Sequence, residues 1–181
     1  MGCQDIIHSS TAHAIGCLIL ENKDIIQDFL IYKGCDIVSA RTWLVRQALE
    51  KGATHLLFLD SDMLFPSFAL KQLLAHRKDI VSVEYNKRKF PLEKVTKPLT
   101  EESTELYPGR VLGTGFMLID LSIFRNPEKP MKEPWFSFGR DSQGALVLGE
   151  DAWFVNTARD AGYESWIDPT IKVFHIGEYL H

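Results

Sequence analysis

The stretch "HLLFLDSD" (His55–Asp62) constrains this chain more than any other. Leu56, Leu57, Phe58 and Leu59 follow one another with no polar residue between them. A strand with one wet face alternates, so an unbroken apolar run predicts a strand covered on both faces, central in its sheet. Helical patterns flank it. Upstream, "SARTWLVRQALEKG" (Ser39–Gly52) carries Leu44, Ala48 and Leu49 as an apolar stripe, with Ser39 as its cap and Gly52 as its stop. Downstream, "PSFALKQLLAHR" (Pro66–Arg77) places proline in the first turn. "DIVSVEY" (Asp79–Tyr85) reads as the next strand. Further upstream, "SSTAHAIGCLILEN" (Ser9–Asn22) predicts a helix capped by Ser9 or Ser10, and "DFLIYKG" (Asp28–Gly34) a strand. Strands alternating with helices predict an α/β fold with a mainly parallel central sheet flanked by helices.

After Tyr85 the alternation breaks. Residues 86–110 are polar, charged and proline-containing, and long loops in compact domains tend to carry function. "GTGFMLIDLSIF" (Gly113–Phe124) returns to strand. "GEDAWFVNTARDAG" (Gly149–Gly162) reads as a helix closed by glycine, and "YESWIDP" and "IKVFHIG" as two strand-like pieces. No repeat or linker divides the 181 residues, so a single domain over 1–181 is expected.

The net charge of −4 speaks against a nucleic-acid partner. No apolar run approaches the ~18 residues of a membrane span. "MGCQDIIHSS" lacks the basic start and apolar stretch of a signal peptide, and has no Ser or Thr where a myristoylation signal needs one. Three cysteines, Cys3, Cys17 and Cys35, form no metal or disulfide spacing. They read as reduced thiols of a cytoplasmic protein, with Cys17 as a small core residue.

Asp60 closes the apolar strand and Asp62 lies two residues on, so in extended chain both carboxylates point to one side. Ligands of open α/β sheets gather at such strand ends. Two like charges this close need a cation between them, and oxygen donors suit Mg²⁺ or Mn²⁺. A solvated acidic loop is the bland alternative. Haloacid-dehalogenase-like phosphatases also end an apolar strand in Asp-x-Asp. Their motif sits near the chain start and needs a later acidic pair at a strand end, whereas Glu150–Asp151 here opens a helix.

"ARTWLVRQALEKGATHLLFLDSDMLFP", "DIVSVEYNKRKFP", "GTGFMLIDLSIF", "GEDAWFVNTARDAGY" and "VFHIG" occur in this order. Together, over roughly Ile7 to Gly177, they make the chain resemble a compact glycosyltransferase of the GT-A fold, related to the family 2-like enzymes of bacteria, phages and large DNA viruses. The resemblance implies transfer of a sugar from a nucleoside-diphosphate donor, UDP- or GDP-linked, with inversion. The acceptor would be a hydroxyl on a glycan, protein or lipid-linked carrier. It implies Mn²⁺ or Mg²⁺ on Asp60, Asp62 and His175, with Asp60 also reaching the nucleotide ribose. It implies Asp151, or its neighbour Glu150, as the base, and Arg41, Arg88, Gly113, Thr114 and Gly115 around the donor.

The residues by themselves leave other readings open. His175 also reads as a core histidine, Glu150 and Asp151 as helix capping, and "KRK" (Lys87–Lys89) as a solvated loop. Trp135 and Phe136 are open between core packing and stacking on an acceptor sugar, and Phe154, one turn from Asp151, between core and acceptor wall. Members of the resembled family open with a strand that floors the nucleotide base. Here "MGCQD" stands in its place, so that strand is expected to be shortened or missing, with Met1–Asp5 as a remnant from which Gln4 and Asp5 would be the residues to reach the nucleotide. An inactive nucleotide-sugar-binding or scaffold domain is the alternative function. An oligomer or larger assembly could complete the acceptor site.

Overall fold

The computed structural model describes residues 6–177. Among the described residues four α-helices are formed: α1 (Ser9–Glu21), α2 (Ile37–Glu50), α3 (Ala69–Ala75) and α4 (Glu150–Asp160). Six strands make one central sheet: β1 (His55–Leu59), β3 (Ile80–Val83), β4 (Lys97–Pro98), β5 (Tyr107–Val111), β6 (Phe116–Asp120) and β9 (Ser165–Asp168). Two further pairs lie outside it. β2 (Met63–Leu64) pairs with β10 (Phe174–His175), and β7 (Gly139–Arg140) with β8 (Leu146–Leu148).

The sheet order is β1-β6-β3-β9-β5-β4. Only β3 and β9 pair in parallel, and the other neighbours are antiparallel. This corrects the expected mainly parallel sheet. The helical crossovers do what the sequence rule says: β1, β3 and β9 share one direction. β6 then inserts between β1 and β3, and β5 adds outside β9, both reached through the helix-free excursion after Tyr85. A strand that returns without a helical crossover is free to run antiparallel.

Apolar side chains pack on both sheet faces. On one side, Leu44 and Val45 of α2 and Phe154 and Val155 of α4 meet Phe58, Met117 and Ile119. On the other, Ile15 and Leu18 of α1 and Leu70 and Leu73 of α3 meet Val81, Val83, Phe116 and Leu118. β6 shows the expected period of two, its successive residues feeding opposite cores. Trp135 and Phe136 belong to the first core, as does Phe154, whose ring stacks on Phe136 at 4.7 Å and 10°. Phe154 is therefore packing, not an acceptor wall.

β1 differs from expectation in one respect. Its faces are covered, yet it is the edge strand of the sheet. The segment read as a strand, Asp28–Gly34, belongs to no strand and lies across a cavity of about 530 Å³ from β1. Ile15, Leu18, Leu44, Ala48, Leu70 and Leu74 cover that cavity from both helix layers. The run Leu56–Leu59 is apolar throughout because of those two layers, which do not require a strand on both sides. Gln4 and Asp5 lie outside the described residues.

Smaller differences concern helix ends. Asp36 caps α2, its carboxylate accepting from Ser39 N–H at 2.8 Å, so Ser39 is a recipient of the cap. His8 precedes α1 and no side chain caps it. α3 is shorter than its pattern, with Pro66–Phe68 in a turn. Cys17 is partly exposed, not core, and lies 3.6 Å from His13. Among the described residues no helix is long and apolar enough to cross a membrane.

Candidate active site

The acids at the end of β1 are positioned by backbone pairing on both sides. Asp60 N–H donates to Gly115 O at 3.0 Å, which fixes Asp60 against the start of β6. Three residues on, Met63 pairs with His175 in the short β2–β10 ladder, and Ile176 N–H donates to Asp62 O at 2.7 Å. This ladder carries His175 from the far end of the sequence to the Asp-x-Asp turn. One ligand atom each from Asp60, Asp62 and His175 lies within 4.8 Å of the others.

The imidazole is oriented. His175 Nδ1 is 2.8 Å from the carbonyl oxygen of Asn86. A carbonyl only accepts, so the Nδ1 proton is held there and the neutral ring keeps a lone pair on Nε2. The ring also meets Tyr85 edge-on at 4.9 Å. Two carboxylates and one imidazole suit Mn²⁺ or Mg²⁺ with room for phosphate or water oxygens. These residues fit such an ion.

Both carboxylates carry an arginine. Arg41 Nη2 lies 2.6 Å from Asp60 Oδ1, and Arg88 Nη1 lies 2.6 Å from Asp62 Oδ2. Arg41 sits in α2 with its side chain 1% exposed, over the Phe58 ring at 4.8 Å. Its Nε and Nη1 are buried without a hydrogen-bond partner. Burial pushes the Asp60 carboxyl up, but the charge and hydrogen bond of Arg41 outweigh it and hold the group below its ordinary value.

The glycines of "GTG" face Tyr85. A Cβ on Gly113 would stand 2.0 Å from Tyr85 Oη, and one on Gly115 would stand 2.8 Å from Oη and 3.1 Å from Asp60 Oδ2. Tyr85 Oη instead accepts from Gly115 N–H at 3.0 Å. Burial first, then the Asp60 charge, pushes the Tyr85 hydroxyl far up, so it stays protonated. Thr114 is buried between the glycines. Ser82 Oγ lies 2.8 Å from Gly113 O and 3.0 Å from Phe116 O, pinning the turn from β3.

Glu150 and Asp151 form the first turn of α4, half-buried. Asp151 Oδ1 accepts from Ala152 N–H at 2.6 Å. Burial still raises the Asp151 carboxyl above its ordinary value, and the charges of Arg41 and Asp60 act on it. Glu150 is raised by burial and then by Asp151. A carboxyl raised by burial is a stronger base when ionised, which suits it to accept a proton.

Asp60, Asp62, His175, Arg41, Arg88 and the Gly113–Gly115 turn are joined by direct contacts at the end of β1, and Glu150 and Asp151 open α4, whereas Trp135, Phe136 and Phe154 lie in the core. Sequence reasoning missed Tyr85 and Asn86. Their signal was the end of "VSVEYN", an apolar strand closing on two polar groups just past its carboxyl end, where ligands collect.

No protein-family model and no curated protein sequence matches this chain. The crystal structure of A197 from STIV is similar, with a TM-score of 0.68 at 17% identity over 98% of this chain and 82% of that one. The fold is GT-A-like. GalNAc-T7, crystallised with UDP, GalNAc and Mn²⁺, is similar at a TM-score of 0.52 and 15% identity. That match covers 82% of this chain and 32% of GalNAc-T7, so the chain spans about a third of that protein.

Proposed function

We propose that the chain is a single-domain, metal-dependent glycosyltransferase of the family 2-like kind. It would move a sugar from a nucleoside-diphosphate donor, UDP- or GDP-linked, to an acceptor hydroxyl with inversion. The observation that carries this reading is the Asp60–Asp62–His175 cluster at the strand ends of a GT-A-like sheet. The similarity to a structure holding UDP and Mn²⁺ supports the donor class.

Asp60, Asp62 and His175 would hold Mn²⁺ or Mg²⁺, which neutralises the diphosphate as it leaves. Arg41 would bind donor oxygens through its partnerless Nε and Nη1 while Nη2 keeps Asp60 ionised. Gly113, Thr114 and Gly115 would line the donor over Tyr85. Asp151, raised by burial, would take the proton of the acceptor hydroxyl, with Glu150 beside it as the alternative base. The phosphatase reading is less favoured, because its second acidic pair at a strand end is not matched: Glu150 and Asp151 open α4.

The experiment is a thermal-shift and hydrolysis panel of UDP-, GDP- and dTDP-sugars with and without Mn²⁺. A specific donor raises the melting temperature by mass action, and only with the metal present. A second reading, donor binding without turnover, is favoured by the open edge of β1 and the cavity beside it. Binding with neither hydrolysis nor transfer on any acceptor would select it.

A further inference from the structure

Arg88 is the one cation drawn from the polar excursion onto the metal-ligating acids. Its side chain is 55% exposed, yet its Nη1 sits 2.6 Å from Oδ2 of Asp62, which is 14% exposed. A guanidinium is the shape of cation that a carboxylate accepts when no harder ion is there. Arg88 therefore stands on the carboxylate oxygens that a divalent ion would use.

The hairpin that carries Arg88 is built to hold it there. Asn86 bridges to Lys94, Lys87 N–H donates to Glu93 O at 2.8 Å, and Val95 N–H donates to Tyr85 O at 2.9 Å. Lys87 Nζ adds an ion pair to Glu93 at 2.6 Å. None of these contacts uses the Arg88 side chain, so it can leave Asp62 without opening the hairpin. The base of the same hairpin holds the third metal-ligating side chain, through Asn86 O and His175 Nδ1. One short segment thus supplies the counter-ion of Asp62 and the orientation of His175.

From this geometry we infer that Arg88 is an exchangeable counter-ion: it occupies Asp62 in the metal-free site, is displaced when the divalent ion binds, and then receives the anionic oxygens of the nucleoside diphosphate. The inference rests on the metal site of the proposed function. It makes Arg88 a positioning residue with two opposed effects. Arg88 weakens binding of the metal alone, because the ion must first break the Arg88–Asp62 pair. Arg88 strengthens binding of the nucleotide to the metal-loaded protein. The site consequently discriminates against metal without donor.

The test titrates MnCl₂ alone, and then UDP at saturating Mn²⁺, into the full chain by calorimetry. Arg88→Gln should bind Mn²⁺ about two- to tenfold more tightly than the parent, the range expected for losing one partly exposed ion pair. The same variant should bind UDP about tenfold more weakly, as for one lost charge-assisted contact. Arg88→Lys, which keeps the charge and loses the fork, should fall between. Lys89→Gln, one residue on and away from Asp62, should match the parent in both titrations. Unchanged or weaker Mn²⁺ binding in Arg88→Gln, with Mn²⁺ binding lost in Asp62→Asn, overturns the counter-ion role and leaves the metal site standing. Absence of Mn²⁺ binding in the parent and in Arg88→Gln alike overturns the metal site and the inference with it.

Discussion

Arg41 Nη2 and Asp60 Oδ1 meet at 2.6 Å beneath the candidate site, and the remaining donors of that guanidinium, Nε and Nη1, have no partner. A side chain so buried rarely leaves two donors unpaired. Removing it strands a carboxylate. Arg41→Ala is expected to cost about 3 kcal/mol, near the low end for breaking a buried pair because Asp60 keeps some water. Chemical denaturation measures this. Arg41→Lys keeps a charge and should recover part of the stability, but it should not recover nucleotide affinity. A lysine variant that binds UDP as well as the parent would remove Arg41 from the donor site.

Asp62→Asn should abolish Mn²⁺-dependent donor binding and turnover, since it replaces an ionic ligand by a neutral one. His175→Ala should weaken the metal dependence more mildly, because two carboxylates and the diphosphate remain. Full activity of Asp62→Asn would sink the metal assignment. Parent-like Mn²⁺ affinity in His175→Ala would return that histidine to a packing role against Tyr85.

Asp151→Asn separates catalysis from stability. As the proposed base, its loss should lower transfer roughly 10²–10⁴-fold with donor affinity little changed. Its carboxyl is raised by burial, so the stability it contributes is complete below the ordinary value of 3.8 and is lost as pH rises through the raised folded value. Asparagine does not ionise. Asp151→Asn should therefore melt above the parent at neutral pH, with the difference vanishing in acid. Melting curves between pH 3 and pH 8, on the order of the range where carboxylates titrate, check this. A variant that melts lower at every pH would make Asp151 a structural cap.

Two glycines predict opposite signs. Gly113→Ala drives a methyl into Tyr85 Oη at 2.0 Å, and overpacking of this kind costs about 1–3 kcal/mol. Gly16 lies inside α1 with nothing within 4 Å of an added Cβ. Gly16→Ala should stabilise by about 0.5–1 kcal/mol through helix propensity alone. Urea midpoints of both variants test the pair. A neutral Gly113→Ala would mean that the "GTG" turn gives way without cost.

The open edge of β1 has a signature in hydrogen exchange. Asp60 N–H pairs with Gly115 O and Leu121 N–H with Thr54 O, so by antiparallel alternation Leu56 and Phe58 donate to β6 while Leu57 and Leu59 point their N–H groups toward the cavity. Leu57 and Leu59 amides should exchange markedly faster than those of Leu56 and Phe58. Equal protection would show that a strand pairs the edge in solution.

The local readings that succeeded rest on local physics. The helices of "ARTWLVRQALE" and "EDAWFVNTARD" are visible because apolar spacing and terminal acids act within one or two turns. The Asp60–Asp62 pairing at a strand end was legible for the same reason: an apolar run must stop, and what stops it faces solvent and ligand. Asp36 rather than Ser39 as the cap was less so, since both residue types cap and a three-residue offset decides.

Sequence alone determined where the main helices and apolar strands lie, and that Asp60 and Asp62 stand together at the end of one of those strands. The tertiary structure decided the rest. The direction of β6 and β5, and hence the antiparallel pairings, depends on how the chain returns after Tyr85, and no local period encodes a return path. The edge position of β1 is hidden because two covering helix layers and two flanking strands select the same apolar residues. The marriage of His175 to Asp62, the support of Tyr85 under Gly113 and Gly115, and the pairing of each acid with Arg41 or Arg88 all join residues distant in sequence. Such contacts are set by sheet register and by the two-residue β2–β10 ladder, which the residues joined do not announce.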